Sequence, residues 1–250
     1  MVMRSVVAVE CVCLALMAYG EEELAATEII RRSDDLLRGE NSYCKMTMTI
    51  TRPKWQRTVT MEAWTGGTEN VFIRILAPKK EKGVAFLKKG REAWQYIPAI
   101  DSIMKLSPSM MLQSWMGSDF TNDDVVRADS IVMDYTHWIL SEPEEEGVEY
   151  WLVEAIPKPD AAVVWGKIVF KIRKSNFVPE RVDFFDEDGE IVKYYETSSI
   201  KKIEGREIAT AFVMYDVLEE GHKTSITYEH MTFKPEMKSG TFSQKNLRRQ

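Results

Sequence analysis

Hydrophobic and polar residues alternate with a period of two along most of the chain, a pattern typical of half-buried β-strands. Residues 43–52 show it most clearly, because Cys44, Met46, Met48 and Ile50 share one side while lysine and threonine share the other. The same alternation, interrupted by turn-like segments, predicts further strands at residues 57–65, 71–75, 84–87, 93–97, 131–140, 149–156, 167–173, 181–185, 191–198, 208–217 and 224–233.

Two segments break this alternation. Residues 26–37 carry apolar side chains at helical spacing, and Gly39 follows where a helix-ending glycine is expected, so an amphipathic helix is predicted there. Residues 98–129 are rich in methionine and contain two prolines, which indicates short helices. One of these is predicted to begin at Thr121, with Asp124 as its capping-box partner.

The predicted fold is mainly β: a single curved antiparallel sheet that forms an unclosed half-barrel, with the helices plugging its concave face. A meander of about a dozen strands leaves edges exposed unless it curls. A barrel of that width is too wide for its own strands to fill. The composition does not change along the chain, so residues 21–250 are predicted to form one domain.

The first 20 residues have the form of a secretory signal peptide. Arg4 precedes an apolar stretch, and Ala18 and Gly20 supply small residues before a cleavage site at Glu21. The stretch is short for a membrane span, although Glu10 is unusual in a signal, and a membrane anchor or a buried helix are the alternatives. Export would place the protein in the periplasm. Only Cys44 then stays in the mature chain, so no internal disulfide is expected.

Charge and motif content exclude several classes of function. The net charge is −6 and no basic stripe is present, so nucleic acid is not an expected partner. The three histidines lie on separate segments, and no nucleophile motif or phosphate-binding glycine loop occurs. Asp119, Asp123 and Asp124 lack the spacing of a calcium loop and are better explained by helix capping and helix-start charge. We therefore expect no cofactor, no metal and no enzyme activity.

Three sequence blocks carry a family resemblance. They are residues 83–90, the Trp-Gln-Tyr-Ile-Pro run at 94–98, and residues 114–125 with their Met-Gly-Ser-Asp-Phe-Thr core. Together they resemble the LolA-like outer-membrane lipoprotein-sorting proteins. The resemblance implies an unclosed antiparallel barrel with a helical lid. It also implies binding of lipoprotein acyl chains or another lipid, with an inner-membrane lipoprotein-releasing or lipid-exporting transporter as a further partner. We expect a monomer.

Candidate lipid-binding residues follow from this resemblance and from side-chain chemistry, since flexible methionines suit a cavity that adapts to acyl chains. The predicted lid residues are Met104, Met110, Met111, Leu112, Trp115 and Met116. The predicted wall residues are Trp64, Phe72, Phe86, Trp94 and Tyr96. Ordinary core packing is the alternative for each of them. Arg74 is a candidate for guiding the ligand, and a surface-facing position is the simpler explanation.

The favoured function is a periplasmic carrier that holds acyl chains in a hydrophobic cavity and passes them toward the outer membrane. Two alternatives stay open. One is a lipid-sensing regulatory or accessory protein of a membrane lipid exporter with the same fold. The other is a hydrolase of the cell envelope.

Overall fold

The computed structural model describes residues 26–126, 130–161 and 163–249. The predicted signal peptide at residues 1–20 lies outside the described residues.

In the part of the chain that the structure describes, one antiparallel sheet of 14 strands forms the body of the protein. Its strands are β1 (Asn41–Arg52), β2 (Trp55–Gly66), β3 (Asn70–Ala77), β4 (Ala85–Lys89), β5 (Glu92–Ile97), β6 (Ser102–Lys105), β7 (Tyr135–Ser141), β8 (Glu144–Glu145), β9 (Val148–Pro157), β10 (Lys167–Arg173), β11 (Pro179–Phe185), β12 (Ile191–Ile203), β13 (Arg206–Asp216) and β14 (Lys223–Thr232). β1 pairs with β14, so the sheet runs from β6 through β1 and β14 to β7, while β8 pairs only with β9. β6 and β7 are the unpaired edges, which confirms the predicted mainly β, unclosed architecture.

Within the described residues, four α-helical segments accompany the sheet: α1 (residues 26–38), α2 (Asn122–Val126), α3 (Ser130–Met133) and α4 (Gln244–Leu247). α1 is confirmed close to its predicted bounds. It ends at Gly39, whose φ is +58° and whose amide donates to the Asp35 carbonyl over 3.1 Å. This is the left-handed helix ending that glycine favours.

The methionine-rich segment differs in part from its prediction. It contains strand β6, which pairs with β5, and three single turns of 3₁₀ helix at Pro98–Ile100, Pro108–Met110 and Trp115–Gly117. α3 occupies the start of the strand predicted at 131–140, and β7 begins at Tyr135. A short apolar run does not distinguish a helix from a strand, because only pairing with a neighbouring strand decides between them.

The predicted capping box before α2 is confirmed. The Thr121 amide donates to Asp124 Oδ2 over 2.7 Å, and the Asp124 amide donates to Thr121 Oγ1 over 3.2 Å. Both side chains therefore satisfy backbone donors at the start of a helix too short to be stable alone.

The hydrophobic core lies on the concave face of the sheet, under α1. Met48 and Ile50 of β1 are fully buried there. The helix packs Ile29 and Ile30 against Val153 of β9 and Ile172 of β10, while Leu36 and Leu37 contact the larger core cluster. The apolar stripe of α1 and the apolar faces of the strands thus bury each other.

The end of α1 provides a stability test. Gly39→Ala places a side chain at φ +58°, and its Cβ would lie 3.2 Å from the Phe233 ring. We expect a loss of more than about 1–2 kcal/mol, the cost of a left-handed non-glycine residue. Gly67→Ala is the matched control, because Gly67 has φ +57° and open space around its Cβ. Urea unfolding of both variants measures the difference; equal losses would show that the Phe233 contact contributes nothing.

Candidate functional site

A cavity lies between α1 and the concave face of the sheet. Its volume is about 430 Å³, within the range of roughly 300–1,000 Å³ that is usual for small-molecule sites. Its lining comes from α1, from the segment around α2 and from strands on both sides of the β1–β14 pair. Most of the lining side chains are apolar, so the cavity favours an apolar ligand.

The wall on the β1–β3 side is aliphatic and sulfur-containing. Cys44 and Met46 of β1 lie opposite Ala63 and Met61 of β2, and Ile73 of β3 lies opposite Ala63. Methionine side chains have three rotatable bonds and a polarisable sulfur, so this wall can adapt to a flexible chain.

The opposite wall is aromatic. Phe184, Tyr195, Phe212 and Tyr228 each come from one of the strands β11 to β14 and line the cavity. Taken in this order, the centroids of successive rings lie 6.1, 5.9 and 6.2 Å apart. Trp165 extends the series, 5.3 Å from Phe184. We call these five residues the aromatic row. Such separations are favourable for tilted ring pairs, so the row forms a continuous surface.

Charged groups border the cavity on two sides. On α1, Arg38 forms a buried ion pair with Asp34 over 2.7 Å, and both residues line the cavity. On α2, Asp124 accepts from Lys193 of β12 over 2.5 Å. The Lys193 ammonium also lies 4.4 Å from the Trp165 ring. These cations therefore already have carboxylate partners within the protein.

Residues 115–125, which we call the closing segment, are held at the end of the sheet formed by the β1–β2 turn. Arg52 contacts both carboxylate oxygens of Asp119 over 3.0 Å, and Thr224 donates to the same carboxylate over 2.6 Å. Arg57 donates to the Met116 carbonyl. Trp115 and Phe120 of this segment line the cavity. The closing segment is thus attached by buried polar contacts while its aromatic side chains face the ligand space.

The lipid-binding residues predicted from the sequence lie in three different places. The smallest group lies on the concave face of the sheet. Trp115 lines the cavity. Phe86 lies 5.4 Å from the Trp115 ring in the same core cluster, and Met116 packs against that cluster. These three residues are close enough to shape the cavity.

Four predicted wall residues share the convex face instead. Trp64, Phe72, Trp94 and Tyr96 form a cluster there with Leu247 of α4. Trp94 also lines a separate pocket of about 600 Å³ next to the C-terminal segment. Arg74 shares this face, donates to the Asn246 carbonyl over 2.8 Å and lies away from the cavity.

The remaining lid residues lie outside the cavity. Met110 and Met111 pack with Leu106 in a small cluster, whereas Met104 and Leu112 are exposed. No observation tests lipid contact at any of the predicted residues, so their binding role stays a prediction.

Sequence reasoning did not select the aromatic row or the Asp34–Arg38 pair. Signals for both were present, since the predicted strands 181–185, 191–198, 208–217 and 224–233 each carry aromatic residues, and Asp34 and Arg38 flank the apolar stripe of α1 at i, i+4 spacing. Alternation alone did not reveal which face of these strands is concave.

Burial controls the acid–base behaviour of the lining. It raises the pKa of the Cys44 thiol to about 12. Burial also raises the pKa of Tyr228 and of Tyr195, and Asp34 and Asp124 contribute less to the shift at Tyr195. All three groups are therefore neutral at physiological pH.

Among the described residues, no cluster of three or more histidine, cysteine, aspartate or glutamate side chains could hold a metal ion. His137 is fully buried, within hydrogen-bonding distance of Thr27 Oγ1 at Nδ1 and of the Ile131 carbonyl at Nε2. Within the described part of the chain, no helix combines the length and hydrophobicity needed to cross a bilayer.

Solved structures with this fold are known. A DUF1329 family protein from Desulfovibrio piger is 22% identical to this chain, with a TM-score of 0.83. The match covers 90% of this chain and 99% of that protein's chain. A putative outer membrane lipoprotein-sorting protein domain from Vibrio parahaemolyticus is 20% identical, with a TM-score of 0.80. The match covers 91% of this chain and 100% of that domain's chain. A LolA superfamily protein from Nitrosomonas europaea is 23% identical, with a TM-score of 0.75. The match covers 88% of this chain and 98% of that protein's chain. No curated protein matches the sequence significantly.

These likenesses confirm the predicted LolA-like fold, an open antiparallel half-barrel around an apolar cavity. A family model described only as "Uncharacterized protein" matches residues 67–249, and the chain belongs to that family.

The Arg52–Asp119 pair yields a stability prediction. The Arg52 side chain is 11% exposed and that of Asp119 is 3% exposed, and removing one partner of a buried pair costs roughly 3–5 kcal/mol. Arg52→Met and Asp119→Asn should each lower the free energy of unfolding by that amount, and the double variant by less than their sum.

The Arg31–Asp35 pair on α1 is the matched control, because its side chains are 48% and 45% exposed. Its removal should cost only about 0–1 kcal/mol. Additive losses at Arg52 and Asp119 in urea unfolding would contradict a direct coupling between them.

Cys44 yields a reactivity prediction. Labelling requires the thiolate, and the native pKa of about 12 lies well above the unperturbed thiol value of roughly 8.5. In a Cys11→Ser/Cys13→Ser variant at pH 8, we expect a disulfide reagent to react at least about a thousand-fold more slowly in buffer than in urea. The contribution of the neutral thiol to the free energy of unfolding should be complete below the pKa of the thiol in the unfolded chain. It should decrease as the pH rises toward 12. Equal rates in buffer and urea would mean that Cys44 is not shielded.

Proposed function

We propose that this protein is a periplasmic carrier that binds the acyl chains of lipoproteins or other lipids and passes them toward the outer membrane. The observation that carries the proposal is the cavity of about 430 Å³ between α1 and the concave face, with its predominantly apolar lining. A ligand there would make contacts without covalent chemistry.

The energetics of the cavity suit a carrier. Burying one methylene group contributes about 0.8 kcal/mol, so ten buried methylenes would contribute roughly 8 kcal/mol before entropic costs. The aliphatic wall contributes Met46 and Met61, and Met214 and Met231 lie nearby in the lining. A wall of flexible side chains tolerates chains of different lengths, as transport of varied lipids requires.

Release requires a part of the cavity that can open. The closing segment is the candidate, because it borders the cavity and attaches to the sheet through polar contacts of Asp119, Asp124 and the Met116 carbonyl and through the packing of Trp115 and Phe120. Its Trp115 and Phe120 occupy space that a ligand could share or displace. We propose this segment, rather than the exposed Met104 and Leu112, as the moving part.

The cellular setting follows from the sequence. The signal-like residues 1–20 would export the chain to the periplasm, and a monomer there would meet the membrane protein that releases its cargo. An inner-membrane lipoprotein-releasing or lipid-exporting transporter is the proposed donor. The names of the Vibrio parahaemolyticus and Nitrosomonas europaea structures support this class of role.

A cavity-filling variant tests the proposal. Ala209 lines the cavity and is 6% exposed, so Ala209→Trp should occupy ligand space and reduce binding of a fluorescent fatty-acid probe at least about ten-fold. Ala99→Trp, on an exposed turn, is the control and should bind the probe like the wild type. Urea unfolding shows whether each variant is folded.

Native mass spectrometry of protein purified from a bacterial periplasm supplies the second measurement. Co-purified lipid in the wild type, and its loss in Ala209→Trp, are expected. A wild-type protein that binds neither cellular lipid nor the probe would contradict the proposed function.

A further inference from the structure

We infer that Tyr195 and Tyr228 form a polar subsite inside the cavity that binds the carbonyl oxygen of an ester-linked lipid, in preference to a free fatty acid. The inference rests on the proposed function, because it names the chemical class of ligand that the same cavity takes.

The first observation is the state of the two hydroxyl groups. Tyr195 of β12 and Tyr228 of β14 belong to the aromatic row and lie on either side of β13, whose Phe212 is 5.9 and 6.2 Å from their rings. Both line the cavity. Neither hydroxyl has a hydrogen-bond partner among the described residues, and neither belongs to the fully buried unpartnered polar atoms, so both open onto the cavity. Two phenol donors therefore lie at an otherwise apolar wall without a protein acceptor.

Such donors have a physical cost unless something accepts from them. Buried tyrosine hydroxyls usually have a hydrogen-bond partner, because desolvation without one is unfavourable. Phenylalanine would fill the same wall without that cost, as Phe184 and Phe212 do on the adjacent strands. A ligand with an acceptor oxygen at this depth would satisfy the two hydroxyls.

The second observation is the charge of the lining, which favours a neutral acceptor. Asp34, Asp123 and Asp124 line the cavity, and Arg38 is the single lysine or arginine among the described lining residues. Arg38 is already paired with Asp34 over 2.7 Å. Lys193, which lies outside the lining, is likewise paired with Asp124 over 2.5 Å. A fatty-acid carboxylate would thus be buried without a free cation among the described lining residues, which is costly. An ester carbonyl accepts hydrogen bonds without that cost.

The protonation state of the subsite fits this role. Burial raises the pKa of Tyr195 and of Tyr228, so both stay protonated and can donate. The methionine-containing wall on β1 and β2 faces the same space and offers apolar contacts to the attached alkyl chain. Together the walls suit a lipid with an alkyl chain and an uncharged oxygen.

Three probes of equal chain length test the inference: methyl hexadecanoate, hexadecanoic acid and hexadecane, each displacing an uncharged fluorescent probe at pH 7.5. The wild type should bind the methyl ester about three- to ten-fold more tightly than hexadecane, as expected for one or two hydrogen bonds. It should bind the free acid more weakly than the ester.

The variants are Tyr195→Phe, Tyr228→Phe and their combination. The double variant should lose the preference for the ester and bind hexadecane within about two-fold of the wild type, since only donors are removed. Tyr194→Phe and Tyr215→Phe are the controls, because these rings stack 4.9 Å apart outside the cavity lining. Both should keep the ester preference. Urea unfolding confirms that each variant is folded.

Equal binding of ester and hexadecane by the wild type, or an unchanged ester preference in the double variant, would overturn the inference. Tight binding of the free acid would overturn the charge argument. In each case binding of hexadecane itself would leave the proposed carrier function standing. A wild type that binds none of the three probes would instead contradict the proposed function.

Discussion

A wide antiparallel sheet that curls without closing leaves a concave face that its own side chains cannot fill, and the rest of this structure depends on that constraint. With 14 strands and edges at β6 and β7, the inner face must be covered by other parts of the chain. α1 covers it from one side, packing Ile29 and Ile30 against β9 and β10. The closing segment covers one end. The space left between them is the cavity.

The polar contacts of the closing segment follow from the same constraint. A segment of single turns and one short helix lacks the hydrogen bonds and the apolar face of a long helix, so local propensity cannot hold it in place. Asp119 and Asp124 attach it instead to Arg52 and Lys193 on the sheet. Buried ion pairs give modest net stability but demand specific geometry.

The cavity is chemically asymmetric because its two walls come from different halves of the sheet. β1 to β3 supply Met46, Met61 and Ile73, while β11 to β14 supply the aromatic row with its two hydroxyls. A purely apolar cavity would bind any hydrocarbon. Donors on one wall and carboxylates at the border add selectivity, because each polar group penalises ligands that do not match it.

The sequence by itself determined most of the strands, α1 with its ending at Gly39, and the capping box of Thr121 and Asp124, because these depend on side-chain period and on contacts a few residues apart. It also determined which residues share a face, such as Trp94 with Tyr96. Only the tertiary structure decided which face is concave. The C-terminal segment with Leu247 covers the face of Phe72 and Tyr96, so these aromatic residues are buried on the convex side. The aromatic row faces the cavity because of strand pairing across long sequence distances, from β11 round to β14, which local pattern does not encode.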